Sequence, residues 1–503
     1  MALKTLKIDD FSGGRNSKAT SVALEKNQTR DQVYTWIENG ALVKMRGWSG
    51  AVAETSALNP VYAVETCLTP LGASGAPRLV IMSHIAVSGG TGSRLVYTDN
   101  GTTFALCETT PTVFAGQTVI PFLGMFRGKL YVSDGTNSAV SYDGTTVTTV
   151  AAFPKSAICA VHKGYVFSAS GNTISWSQIN DATTWPTNNF QYLDTELGDA
   201  IVAMHSWGGN LVVFCKRSMW LLVGDVFDPI EANYSIQRVN TPANFNFFAP
   251  KSVCTHLNTM KFLTADGFYV YTGGNSVVKI SDIIQPDTDT IPSSSAELTY
   301  FYATNTPRAY IWKNAYYVHY MASSVRKCLV HDEKGKWWYL ADSGPSPAIN
   351  TSPIMGIACN LGSGEKLYGF TPVKGMVITL DSGYYLAPPS SIATTTGVPA
   401  YWISKDFIFP NEIMMRYVDI YLKKQTAVGG LGTLTLSFSI DGATYVDKSV
   451  TMMAGSGEVL KKRVPVERIG RSIKFKVANS EAGVTFEVYQ IMLIYEPTNA
   501  TRS

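Results

Sequence analysis

The strongest constraint on this chain is a rhythm of short strand-forming runs that starts near residue 58 and continues to about residue 386. Each unit has an alternating apolar run, a turn containing Gly, Asp or Asn, and then a second and a third run. Units of this kind occupy 122–150, 157–186, 201–225, 252–282, 308–342 and 353–386, and a more divergent one lies over 60–110. Their starts are spaced by about 35 to 55 residues, the period of propeller blades. One small sheet cannot bury both of its faces alone, whereas sheets stacked radially cover each other and leave only short edges. The expectation is a β-propeller over 56–390 with about seven blades; the irregular spacing also accommodates six or eight. No WD, Kelch or Asp-box consensus recurs in the units.

Composition agrees with an all-β chain. Apolar residues make up 45% and charged residues 16% of 503, enough for large cores and too apolar for disorder. The 42 glycines, with abundant Thr, Ser, Tyr and Val, fit many short strands joined by turns. A formal charge of +3 offers no concentrated basic surface for nucleic acid. No apolar run approaches the roughly 18 residues of a membrane span, and the opening MALKTLKIDDFSGG has no secretory signal pattern. Seven cysteines stand far apart, which predicts reduced, buried thiols and assembly in a cytoplasm. No Cys-x-x-Cys or clustered His occurs, so neither a metal nor another cofactor is expected.

Composition shifts at 391–399, a small, polar, turn-rich stretch that reads as a linker. Beyond it, 400–503 holds long alternating runs such as YVDIYLKK, GTLTLSFSIDG and VTFEVYQIMLIYEP, which predict an antiparallel β-sandwich of two packed sheets. The opening segment, 1–55, reads as a clamp tying the N-terminus to the larger body. Gly13 and Gly14 allow a sharp turn after Phe11. Leu24, Val33, Trp36 and Ile37 are spaced for one helical face over Ala23 to Ile37, with Asn39-Gly40 as its stop. Lys44 and Arg46 follow, and Gly47 supplies a second turn.

Residues able to carry chemistry are scattered. The six histidines, at 84, 162, 205, 256, 319 and 331, fall on separate units. The acid pairs Asp287/Asp289 and Asp225/Asp228 meet a glycosidase requirement by residue type only, and solvated turn acids or an occasional cation site are the simpler reading. Adjacent aromatics, Tyr316-Tyr317, Trp337-Trp338-Tyr339 and Tyr384-Tyr385, could stack on sugars, but neighbours in a strand point to opposite faces. One of each pair is therefore expected to fill a blade interface, and core packing is the simpler reading unless the outward partners cluster. The densest positive run is Lys461, Lys462 and Arg463, with Arg468 and Arg471 beyond. It either contacts an acidic neighbour or forms a solvated edge that discourages strand aggregation. No Gly-x-Ser-x-Gly, P-loop or His-Glu-x-x-His occurs, and no enzyme is expected.

Two stretches carry a resemblance. Gly13, Gly14, Leu24, Gln28, Gln32, Gly40, Leu42, Lys44, Arg46 and Gly47 resemble the opening of the tail nozzle (tail tubular protein B) family of short-tailed bacteriophages. Ala19 and Gly47 stand where that family usually has prolines. Late in the chain, Trp402, Ser404, Lys405, Asp406 and then Gly470, Arg471, Ile473, Phe475 are similar to C-terminal segments of phage virion proteins. The resemblance implies a structural protein of the virion tail, assembled in the bacterial cytoplasm. It implies a homohexamer below the portal and adaptor that forms the distal DNA channel and seats tail fibres or spikes. The alternative expectation is a receptor- or carbohydrate-binding adhesin built on the propeller.

Overall fold

A computed structural model of the chain describes residues 3–45, 47–53, 62–69, 77–87, 90–108, 114–115, 120–196, 198–227, 233–291, 306–322, 325–341, 355–362, 364–370, 377–383, 397, 399–423, 432–452, 458–481 and 484–498. Arg46, Asp228, Tyr384-Tyr385 and most of the expected 391–399 linker lie outside them.

Among the described residues, six four-stranded sheets and one five-stranded sheet follow the predicted units. Blade one spans 62–115 and is the five-stranded sheet. Blades two to six span 122–150, 159–192, 201–239, 254–279 and 308–341, each an antiparallel meander. Blade seven takes three strands from 355–383 and its fourth, Gly47–Ala53, from near the N-terminus. That borrowed strand corrects the expected boundary at residue 55: the clamp's last strand belongs to the propeller. Its pairing joins the first and last parts of the propeller sequence and closes the ring.

Seven apolar clusters cement the seven junctions. Blade one meets blade two through Met82 and Leu95 against Leu130 and Val132. Phe214, Phe247 and Phe262 join blades four and five, and Leu79, Ile81 and Val96 meet Tyr368 and Phe370 where blade seven returns to blade one. Alternation along the strands makes this possible. Trp337 packs in the cluster shared with blade five, while its neighbour Trp338 packs in the cluster shared with blade seven. Tyr316 and Tyr317 divide in the same way. Six of the seven cysteines have described side chains, five buried and Cys254 half-buried, with no disulfide among these six. Burial pushes the thiols of Cys107, Cys159, Cys215 and Cys254 up to about 12.

The C-terminal module is antiparallel and all-β, but its two faces belong to one ten-stranded sheet that coils over a single core. Its two longest strands, Phe407–Lys423 and Val459–Asn479, pair along most of their length with register shifts after Ile408 and Met415. Such bulges increase twist, which lets one sheet bend over itself where two separate sheets were expected. The N-terminus completes this sheet. Lys4–Ile8 pairs with Glu487–Pro497, Ala41–Lys44 pairs with the start of the same strand, and Gln32–Val33 pairs with Ala400–Ile403. The propeller is therefore inserted into a module built from both ends of the chain.

No helix forms over Ala23 to Ile37. The segment contains Gln28–Thr29, Gln32–Val33 and Thr35–Glu38, all extended. Asn39 and Gly40 sit at φ of 50° and 80° and close a two-residue hairpin between Thr35–Glu38 and Ala41–Lys44. Asn-Gly is the strongest short-range hairpin signal, because both residues tolerate the left-handed region that a type I′ turn demands. Here that local preference and the available sheet edge outweigh a weak helical spacing. Among the described residues, no helix is long and apolar enough to cross a membrane.

Candidate functional site

Most of the residues of the N-terminal stretch, with Trp402 to Asp406, meet at the joint between the two modules. Gly13 donates its N–H to the Asn27 carbonyl at 3.1 Å, and a Cβ there would fall 2.7 Å from that carbonyl. Gly14, at φ +69°, lies so close to the outer strand of blade six that a Cβ would stand 2.9 Å from the Trp337 carbonyl oxygen. The glycine pair thus lets the backbone cross against the propeller. Arg15 follows and grips Asp287 through Nε and Nη2 at 2.8 and 2.9 Å, with its guanidinium 4.9 Å from the Tyr339 ring. Backbone bonds from Lys18 to Ile283 and from Tyr34 to Tyr339 extend this side of the joint. Gln28 accepts at Oε1 from Asn16 Nδ2 and from the Glu25 N–H, holding the intervening loop closed.

The opposite side of the stretch is held by the C-terminal module. Buried Trp402 meets Phe11 edge-on with centroids 5.1 Å apart. Ser404 exchanges two bonds with Phe475, its N–H to the carbonyl and its Oγ accepting the Phe475 N–H, both at 2.9 Å. Lys405 Nζ donates to the carbonyl of buried Leu24 at 2.6 Å, while Asp406 accepts from Ser21 and pairs with Lys474. Leu42 is fully buried. Lys44 is buried too, and donates to Asn479 Oδ1 at 2.7 Å and the Glu481 carbonyl at 2.9 Å. Burial pushes its amine down to about 8. Gly47 begins the strand that closes blade seven.

The other sequence candidates resolve into structural roles. Lys461 and Arg463 both bind Asp419, a fully buried carboxylate on the neighbouring strand, at 2.8 Å and in a bidentate pair at 2.7 and 2.9 Å. Arg463, then Lys461, hold that carboxyl below the ordinary carboxylate range against its burial. Lys462 sits between them opposite Ile420. The acidic neighbour of the basic run is thus within the chain. Gly470 packs where a Cβ would strike Ile440, and Arg471 donates its backbone N–H to Asp441 at 2.8 Å. Asp287 is the Arg15 partner, Asp289 accepts from Gln285 Nε2 at 2.6 Å, and Asp225 pairs with Lys163. Histidines 162, 319 and 331 bond to Ser206, Tyr310 and Lys261 respectively. Among the described residues, no group of three or more His, Cys, Asp or Glu could hold a metal. The sequence reading missed Arg15, Asp419 and the hairpin, although Asn39-Gly40 was a visible signal for the last.

The Arg15–Asp287 pair makes the joint testable. Both side chains are about nine-tenths covered, at 11% and 14% exposure. Arg15→Ala is expected to cost about 2 to 3 kcal/mol, because it leaves a shielded carboxylate without its partner. Urea denaturation checks this, and Arg15→Ala with Asp287→Ala should lose less than the sum of the two single changes.

No family model matches the chain, and no curated protein matches it. Solved structures similar to parts of it include a quinonprotein alcohol dehydrogenase-like protein from Bacteroides thetaiotaomicron, at 12% identity and a TM-score of 0.36. That match covers 56% of this chain and 66% of the other, just under two thirds of its length. The WD40 domain of coronin from Toxoplasma gondii matches at 10% identity and TM-score 0.35, over 70% of this chain and 88% of that domain. An exo-beta-1,3-galactanase from Phanerochaete chrysosporium matches at 9% and 0.25, over 76% and 96%. At these values they carry no functional argument. Strand pairing and the seven junction clusters establish a β-propeller joined to a coiled antiparallel sheet.

Proposed function

We propose that the chain is the tail nozzle subunit of a short-tailed bacteriophage, a virion structural protein acting as a homohexamer. The observation that carries this reading is where the family-like residues lie. Phe11 to Gly47 and the Trp402 segment, about 350 residues apart in sequence, each resemble phage virion proteins and bind each other in the fold, and the Trp402 segment is bonded in turn to the Gly470 segment through Ser404 and Phe475. Their contacts are those of a load-bearing joint between two modules rather than of a reactive centre. In the ring, each subunit would supply the same loops to a central channel, so every lumen-facing side chain becomes a ring of six. A DNA channel works with few cationic rings, because phosphate contacts accumulate into salt-dependent affinity. A net charge of +3 over 503 residues is compatible with that demand. The adaptor below the portal would seat the ring from above, and fibres or spikes would dock outside it.

Native mass spectrometry and negative-stain imaging of the purified protein, alone and with its adaptor, test the reading. The expected assembly is about 330 kDa, six copies of a 54.7 kDa chain, with six-fold symmetry and an axial hole. A monomer that persists with adaptor present would overturn it.

A further inference from the structure

Between the Asn39-Gly40 hairpin, the turn-bearing end of blade six and the edge of the coiled sheet lies a cleft of about 600 Å³. That is within the roughly 300–1,000 Å³ of small-molecule sites, and the junction of two modules is where such sites concentrate. Two properties of its walls restrict what it can hold.

The first is charge compensation. Four lysines and four carboxylates line the cleft, so it offers no net charge to an ion or polyanion. Several are engaged within the wall: Lys423 with Glu487 at 3.1 Å, Lys44 with Asn479 and Glu481, and Asp332 with the Trp338 indole N–H at 2.9 Å. What the walls present is a dense alternation of donors and acceptors. A hydroxyl, which both donates and accepts, satisfies such a wall better than the apolar side chains of a docking peptide.

The second is an aromatic platform. Trp36, on the strand that leads into the hairpin, is half-buried and lines the cleft. Its ring is backed by fully buried Trp338, with centroids 5.4 Å apart. A pinned indole beside polar groups suits the apolar face of a pyranose ring. Exposed Glu38, two residues along the same strand, lies on the same face of it and also lines the cleft.

From these observations we infer that the cleft is a binding site for a short neutral oligosaccharide. The inference stands apart from ring formation, since all of the walls come from one chain. It does not invoke turnover.

Isothermal titration of the full chain with maltotriose, chitotriose and galactotriose tests it, with a neutral nonapeptide as the competing class of ligand. Saturable binding of at least one trisaccharide is expected, with Trp36→Ala weakening it at least tenfold and Glu38→Gln severalfold. Because Trp36→Ala also removes a contact to Trp338, Glu38→Gln, at an exposed position, keeps the test independent of folding. Tyr192→Ala, at a 60% exposed aromatic on blade three, should leave binding unchanged. The inference is overturned by absence of saturable binding up to on the order of 10 mM of every trisaccharide. Loss with Tyr192→Ala but not Trp36→Ala, or binding of the peptide alone, would also overturn it.

Discussion

Trp402→Ala is expected to lower the unfolding free energy by about 3 to 5 kcal/mol, the range for deleting a large buried aromatic. Trp402 is fully buried in the single core of the C-terminal module. Its strand, Ala400–Ile403, lies between Gln32–Val33 and the long Val459–Asn479 strand, so it couples the two ends of the chain. The cavity would also remove the ring that Phe11 packs against. Part of the loss should therefore appear locally, as faster proteolysis in the stretch between Gly13 and Arg30, before global unfolding. Urea denaturation followed by fluorescence gives the total, and limited trypsin digestion gives the local component. A loss below about 1 kcal/mol with unchanged proteolysis would mean that the joint does not depend on this residue.

The second large effect is acid lability above the carboxylate range. Burial, reinforced by the Lys261 cation 2.9 Å away, pushes His331 down to about 3. Burial and then Lys163 push His162 down to about 4, and burial and then Lys251 do the same to His205. These imidazoles stay neutral in the fold at pH values where an unfolded chain, with its ordinary pKa near 6.5, takes up protons. Between those limits the unfolded state binds more protons, so stability falls as pH falls, beginning near 6.5 and ending near 4 for two of the groups and near 3 for His331. Each contributes at most about 1.4 kcal/mol per pH unit in that window, so three together reach about 4 kcal/mol per unit as an upper bound. Urea midpoints measured from about pH 7.5 to about pH 4.5 should drop steeply, and His162→Asn should flatten the slope by roughly a third. A midpoint that holds constant to about pH 4.5 would exclude this account.

The repeat was legible because alternation and turn chemistry are local. Units read at 122–150, 308–342 and 353–386 are blades two, six and most of seven. The opposite facing of Trp337 and Trp338 also follows from strand geometry alone, whereas the packing decided that both faces are blade interfaces. The span Ala23 to Ile37 was misread because a few apolar residues at helical spacing are weak against an unfilled sheet edge elsewhere in the fold. The basic run was visible, but Asp419, which binds Lys461 and Arg463, stands more than 40 residues earlier in a strand that gives no sign of its pairing.

By itself, the sequence determined the all-β character, the blade rhythm and the positions of most turns, since each depends on preferences expressed over a few neighbouring residues. Only the tertiary structure decided that Gly47–Ala53 closes blade seven, that Lys4–Ile8 and Ala41–Lys44 complete a sheet formed mainly by residues beyond 399, and that Arg15 meets Asp287. These are pairings between distant segments. They are selected by which edge remains open and which buried charge lacks a partner once the rest of the chain has packed.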